Sequence, residues 1–176
     1  MRRVAVIATA SGNGKTTVGM QLAKRLGVPF VEMDALNHGP NWVEATPEEL
    51  RAQVEPIVET DAWVIDGNYR GKLGDLVLER ADVVVWLDLP LRIWLPRLLR
   101  RTARRVASRE ELWNGNRERL LGQLRPSTSV VWYTLRVHRV RRRVYPTELA
   151  HLPLVRLRST REVERFLESA RPESAW

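Results

Sequence analysis

The chain has 176 residues, 44% of them hydrophobic and 28% charged, a balance that suits one well-buried domain and excludes a disordered chain. It contains no cysteine, and its three histidines (His38, His138, His151) lack ligand spacing, which excludes a disulfide framework and a thiolate metal site. The net charge of +8 is unevenly placed: residues 91–145 hold fifteen Arg against three Glu, leaving −4 for the remainder, a pattern suited to gripping phosphates or nucleic acid.

The basic, then apolar N-terminus is too short for a signal peptide and runs into a Gly-rich segment, and no run is long enough for a membrane span. The expected location is the cytoplasm, as a monomer or homodimer. Val4 to Ala8 reads as a buried strand. From Gly14 the apolar positions Val18, Leu22 and Leu26 repeat at helical spacing until Gly27 ends the helix. Val28 to Met33 is a second strand closing on Asp34, followed by the polar loop "ALNHGPNWVEA". Thr46, Pro47 and Glu49 mark a capped helix start, which Pro56 is expected to kink or shorten. "AWVID" (62–66) and "DVVVWLD" (82–88) are further strands around a helical stretch from about Lys72 to Arg80.

Some fifty helical residues follow Leu91, with breaks near 106–109, at "NGN" (114–116) and at Pro126, giving three helices. A last strand, "LVRLRS" (154–159), leads through Ser159 and Glu162 into a closing helix ending near Ala170. Alternating strands and helices predict an α/β fold with a parallel sheet covered on both faces. Ligands of such sheets gather beyond the carboxyl ends of the strands, where Asp34, Asp66 and Asp88 fall.

Between the first strand and helix lies "TASGNGKT" (9–16), a phosphate-loop pattern whose first glycine is replaced by Thr9. Gly12 and Gly14 suit the backbone angles that turn successive N–H groups inward, and the helix N-terminus adds its dipole. The predicted nucleotide contacts are Ser11, Gly12, Asn13, Gly14, Lys15, Thr16 and Thr17. Lys15 is expected to bridge the terminal phosphates and the Thr16 hydroxyl to ligate Mg²⁺. A base-reading N-K-x-D segment is absent, which disfavours a guanine-nucleotide switch, and no module is present to receive force as a motor would require. Phosphoryl transfer from ATP remains, and it needs Mg²⁺, cations around the transferred group and exclusion of water.

"ASGNGKTT", "VEMDALNHGPNW", "WVIDGNYR", "VVVWLDLP", the Arg-rich helix after it and the terminal strand together resemble small P-loop kinases of the adenylate-kinase-like superfamily, among them the bacterial adenylate-kinase-like proteins labelled DNA topology modulation protein. The resemblance implies a three-layer P-loop NTPase fold with a five-stranded parallel sheet in the order 2-3-1-4-5. It also implies a substrate segment after strand two and a helical lid at about 97–145 within one domain. "DGNYR" is similar to the D-G-F-P-R segment of adenylate kinases, so Asp66 would hold Mg²⁺ through water, with Gly67 and Arg70 beside the substrate phosphates. Asp34 resembles the acid that holds the acceptor hydroxyl and takes its proton; capping the turn after the strand is the alternative. Asp88 could support Mg²⁺ or simply end its strand.

In the lid, "RLLRRTARR" places Arg97, Arg101 and Arg104 or Arg105 on neighbouring turns. The resemblance favours Arg101, Arg105 and Arg117 as the arginines closing over the transferred group, with Arg119 a further candidate. Core packing is the expected role of Trp94, Trp113 and Trp132. Asn37, His38, Asn41 and Trp42 stand where a nucleoside-monophosphate kinase has its AMP-binding helix, so the acceptor is open between a nucleotide and another small molecule. His38 could serve as a base, could hydrogen-bond the acceptor or could be solvated. The second functional class is a P-loop protein that binds nucleic acid through "LRVHRVRRRV" (135–144) beside Trp132 and Tyr133.

Overall fold

A computed structural model describes residues 1–108, 110–117 and 129–171. In chain order the elements are β1 (Arg3–Ala8), α1 (Lys15–Leu26), β2 (Phe30–Glu32), α2 (Met33–Asn37), α3 (Pro47–Val58), β3 (Trp63–Asp66), α4 (Arg70–Leu73), α5 (Leu76–Glu79), β4 (Val83–Leu87), α6 (Leu91–Ser108), α7 (Val130–Glu148), β5 (Leu154–Leu157) and α8 (Thr160–Ser169). Two single 3₁₀ turns, Pro40–Trp42 and Trp113–Gly115, lie after α2 and α6. The five strands pair in parallel in the order β2-β3-β1-β4-β5, as expected. β1 is central because its residues are apolar on both faces; Val4, Ala5, Val6 and Ile7 are all buried.

Alternate β1 side chains feed two cores. Ala5 and Ile7 pack with Leu50, Val54, Trp63, Ile65 and Leu73 under α3 and α4. Val4 and Val6 pack with Val18, Leu22, Val85 and Leu167 under α1 and α8. A third, smaller cluster of Ala10, Trp94 and Leu98 seats the phosphate loop on α6, with Val130, Val131 and Leu135 of α7 against it. The strand ends carrying polar chemistry thus all open on one edge, above β1 and β3.

Local signals account for most element ends. Thr46 and Glu49 form the reciprocal capping box, and Pro47 occupies the first turn of α3. Pro56 sits in the last turn, so the helix runs only two residues past it and ends at Val58. Gly27 terminates α1 at φ 67°. Ser159 caps α8 through the Glu162 N–H, but the Glu162 carboxylate returns to the Arg158 N–H and the Ser159 hydroxyl, a variant of the box.

Three expectations need correction. The helix expected over about 72–80 is two single turns, α4 and α5, because Gly74 takes φ 61° with ψ −141° between them. β2 is only three residues long, and Asp34 lies in the first turn of α2 rather than at the strand's end. Of the helices expected after Leu91, α6 ends at Ser108 and α7 starts at Val130; the middle one, with Arg119 and Pro126, lies outside the described residues. No helix among the described residues is long and apolar enough to cross a membrane.

Candidate functional site

The loop between β1 and α1 is fixed from beneath. Gly12 has φ 85°, and a Cβ there would lie 2.6 Å from the Trp94 carbonyl oxygen and 3.0 Å from Leu98 Cβ. Both the angle and the close approach of α6 require glycine. Gly14, at φ 88°, is the N-cap of α1. Asn13 is buried and turned inward: its amide donates to the Ala10 carbonyl at 2.8 Å and its oxygen accepts from the Leu89 N–H at 3.0 Å. Its side chain therefore staples the loop, and only its backbone N–H is left for a phosphate.

Thr9 stands where glycine is expected, yet it is not among the positive-φ residues. It extends the β1 ladder through its N–H to the Leu87 carbonyl. The hydroxyl is buried, accepts from the Trp86 indole N–H at 3.0 Å and donates to Asp88 Oδ1 at 2.9 Å. Asp88 is itself buried, receives Arg156 at 2.5 Å and lies 3.4 Å from the Arg142 guanidinium. Asp88 is thereby committed to holding β4, β5, α7 and the loop together, and it lines neither cavity described below. The suggestion that it could support Mg²⁺ does not fit this placement.

Above the loop, acidic groups converge on the helix start. Asp66, buried at the end of β3, accepts from Lys15 Nζ at 2.5 Å through Oδ1 and from the Thr16 hydroxyl at 2.5 Å through Oδ2. Glu32 Oε1 lies 3.2 Å from the same hydroxyl. One hydroxyl hydrogen cannot serve both carboxylates, and the shorter distance gives it to Asp66. Thr16, Asp66 and Glu32 together form a set of hard oxygen donors that could hold Mg²⁺ once phosphate oxygens and water complete its shell. Glu32 was not singled out in the sequence; its place two residues before Asp34 at the end of β2 was the available signal.

Two cavities lie beside this group; Thr16 and Glu32 line the first, and Asp66, buried beneath, lines neither. The first, about 670 Å³, is lined by Ser11 to Val18, by Arg97, Arg101 and Arg105 along one face of α6, and by Thr160 and Glu164 of α8. The second, about 570 Å³, is lined by Asp34, His38, Trp42, Gly67, Tyr69 and Arg70, with Arg141 and Tyr145 of α7. Both are lined by Ser11, Lys15, Asp34, Arg101, Arg105 and Trp113. Of the expected loop residues Ser11 and Lys15 stand at the junction, with Asp34 and two of the three expected lid arginines, while Gly12, Asn13, Gly14, Thr16 and Thr17 line the first cavity alone. Arg117 stands apart: it pairs with Glu111 at 3.4 Å, exposed and outside both linings.

In the second cavity Asp34 accepts a 2.6 Å hydrogen bond from the Tyr69 hydroxyl through Oδ1. Tyr69 takes the left-handed conformation, φ 45°, ψ 41°, unfavourable for a bulky residue. Burial, and then the Asp34 charge, push its phenol pKa above the ordinary value. Arg70 is gripped by Asp75 at 2.5 and 3.1 Å and by Glu148 at 2.6 Å, and the hydrogen bond to Asp75 above all holds it in its charged form. Lys72 spends its donors on Asn37, Glu44 and the Ala45 carbonyl, and its hydrogen bond to Glu44 keeps that carboxyl below its usual range.

The remaining wall comes from the turn after α6. Asn114 donates to the His38 carbonyl at 2.6 Å, and Asn116 donates to the Gly39 carbonyl and accepts from the Trp42 N–H, each at 2.8 Å. This clasp stacks Trp113 on His38, ring centroids 5.9 Å apart, with Trp42 edge-on to both. Trp94 is a core residue as expected, whereas Trp113 lines both cavities and Trp132 is exposed. The helical reading of 113 fails because Asn114 and Gly115 both take positive φ.

The sheet order, the glycine-shaped loop and the lysine and threonine at the start of α1 define a three-layer P-loop NTPase fold. The family model described as shikimate kinase matches residues 11–39. A shikimate kinase from Sulfurihydrogenibium sp. (strain YO3AOP1) is 33% identical over 101 residues, 49% of this chain; the matched stretch spans 61% of that relative's length. Among solved structures, shikimate kinase from Acinetobacter baumannii in complex with shikimate has a TM-score of 0.59 at 18% identity, covering 96% of this chain and 90% of that one. A gluconokinase from Sinorhizobium meliloti 1021 has a TM-score of 0.52 at 20% identity, covering 96% and 89%. At these identities the likeness is one of fold.

Proposed function

We propose that this protein transfers the terminal phosphoryl group of Mg-ATP to a hydroxyl of a small-molecule acceptor that carries no phosphate of its own. The observation that supports it most is the junction, where Lys15, Asp34, Arg101 and Arg105 line both the phosphate-loop cavity and its neighbour. The first cavity takes the nucleotide, its phosphates against the N–H groups of the loop. The metal belongs beside Thr16 and Asp66, where it would neutralise phosphate charge.

Each residue then has one task. Lys15, Arg101 and Arg105 offset the charge spread over the transferred group. Asp34 has Oδ1 occupied by Tyr69, so Oδ2 faces the acceptor hydroxyl. As the acceptor oxygen attacks the γ-phosphorus, its proton passes to Asp34, the bond to the β-phosphate oxygen breaks, and ADP leaves. Near-attack alignment and water exclusion supply the rest of the acceleration.

An acceptor without phosphate is supported by two cations of the second cavity: Arg70 and Lys72 are already engaged by carboxylates, so of the cations lining it outside the junction, among the described residues, Arg141 is the one left to meet an acceptor phosphate. The similar proteins reported above are small-molecule kinases, and none favours nucleic-acid binding by the basic helices. The test is ADP release from Mg-ATP in the presence of polyols, sugars, hydroxy acids, nucleosides and nucleoside monophosphates, with Lys15→Ala as the blank. Turnover with a hydroxylated, phosphate-free compound, lost in Asp34→Asn while ATP affinity stays within about threefold, is expected. Turnover confined to nucleoside monophosphates would overturn the acceptor assignment.

A further inference from the structure

One carboxylate belongs to both halves of the site. Glu32 Oε1 faces the Thr16 hydroxyl at 3.2 Å, on the nucleotide side, while Oε2 accepts the Trp113 indole N–H at 2.8 Å. Trp113 is the tip of the turn whose Asn114 and Asn116 clasp the His38–Trp42 segment, the wall of the second cavity. Since Thr16 gives its hydrogen to Asp66 at 2.5 Å, Oε1 is left as an oxygen donor facing the position a phosphate-bound cation would take. The carboxylate of β2's last residue thus spans from the phosphate loop to the acceptor wall, bonded to Trp113 at one oxygen and open to a cation at the other.

We propose that Glu32 is a positioning residue that couples the two half-sites: a cation arriving with the nucleotide at Thr16 fixes Oε1, and Oε2 then holds Trp113 and the 113–116 turn in place over the acceptor cavity. The coupling rests on the nucleotide reading given above and deepens it. Without a cation, Oε1 has no hydrogen to accept from Thr16, so Glu32 is restrained only by its Trp113 bond, and the wall is held by that one bond and the two asparagines. With it, both carboxylate oxygens are engaged, and rotation about the Glu32 side chain would break a charge-assisted bond at one end or the other. Acceptor binding and nucleotide binding then favour each other by the same factor, as linkage requires.

The test needs no acceptor. Backbone hydrogen exchange is followed at residues 11–16 and at 113–116 for the whole chain with no ligand, with ADP and EDTA, and with Mg²⁺ and ADP. In the wild type, ADP in either form slows exchange at 11–16, and only Mg²⁺ with ADP slows it about fivefold or more at 113–116. Glu32→Gln, which keeps the side chain's size, and Trp113→Phe, which keeps an aromatic ring but removes the indole N–H, retain protection of 11–16 and lose the Mg²⁺-dependent part at 113–116. Glu32→Asp, which keeps the charge, recovers part of it. Protection of 11–16 with no Mg²⁺-dependent change at 113–116 in the wild type overturns the coupling and spares the nucleotide reading. No protection at 11–16 overturns that reading, and the coupling with it.

Discussion

At the scale of single residues, the site depends on atoms that cannot grow or shrink. A methyl on Gly12 would meet the Trp94 backbone carbonyl at 2.6 Å and sit on a left-handed backbone. Gly12→Ala is therefore expected to cost about 2–4 kcal/mol, combining overpacking with the left-handed penalty. Urea denaturation should show the loss, and a change below about 0.5 kcal/mol would mean that α6 does not press on the loop as described. Thr9 tolerates no such simplification in the other direction. Thr9→Val keeps the shape but strands the buried Trp86 N–H and removes the hydroxyl's bond to Asp88 Oδ1, a loss of about 1–3 kcal/mol. If restoring the usual glycine, Thr9→Gly, stabilised the protein, the hydroxyl network would have no structural value.

Tyr69 supplies a pH signature. Its folded pKa is raised by burial and by Asp34, so its contribution is fully present below the unfolded phenol's pKa of about 10 and is lost as pH rises beyond it. While only the unfolded phenol ionises, the penalty is about 1.4 kcal/mol per pH unit for one group. Comparing Tyr69→Phe with wild type by denaturation between about pH 9 and 11 should isolate this slope, because other titrations cancel in the difference. Parallel curves would show that Tyr69 ionises normally and that its bond to Asp34 does not restrain it.

At the scale of elements, hydrophobic period and caps carry the reading. β1, α1 and α3 were legible because each was announced by a run, a repeat or a cap that depends on near neighbours alone, whereas the sheet order followed only from the family resemblance. Gly27 and the Thr46–Glu49 box are such signals. The misread pieces are those where a backbone break inside the segment or a distant partner decides. Lys72 to Arg80 has a helical composition, yet Gly74 breaks it and the Arg70 guanidinium closes on Asp75 across the break. Trp113 has an apolar side chain at what looked like helical spacing, but its indole is drawn to Glu32, eighty-one residues away. Within the site, the phosphate loop could be named from the sequence because its motif is contiguous, and Asp34 because it follows the second apolar run and resembles the acceptor-holding acid. Glu32, Tyr69 and the asparagine clasp could not, because their partners are contributed by other elements.

At the scale of the whole molecule, the +12 of residues 91–145 is not a uniform coat. Arg97, Arg101 and Arg105 face the phosphate cavity from α6, while Arg142 of α7 is drawn to Asp88 beneath it. Three of those fifteen arginines thus converge on the phosphate cavity, all from α6. Mg-ADP at about a hundred times its dissociation constant should raise unfolding free energy by about 2.7 kcal/mol. A thermal scan with and without ligand measures it, and Lys15→Ala should abolish most of the shift. An equal shift in that variant would place the nucleotide elsewhere.

Asp66 gives the ligand-free protein an anion of its own. It occupies the lysine ammonium and the threonine hydroxyl, each at 2.5 Å, so an incoming polyphosphate has an internal rival. Removing that rival has opposite effects with and without metal: Asp66→Asn should bind ADP in EDTA more tightly than wild type and gain less from added Mg²⁺. The resident carboxylate would then act as a placeholder, keeping the lysine from clinging to bare phosphates and reserving the cradle for nucleotide that arrives with its cation.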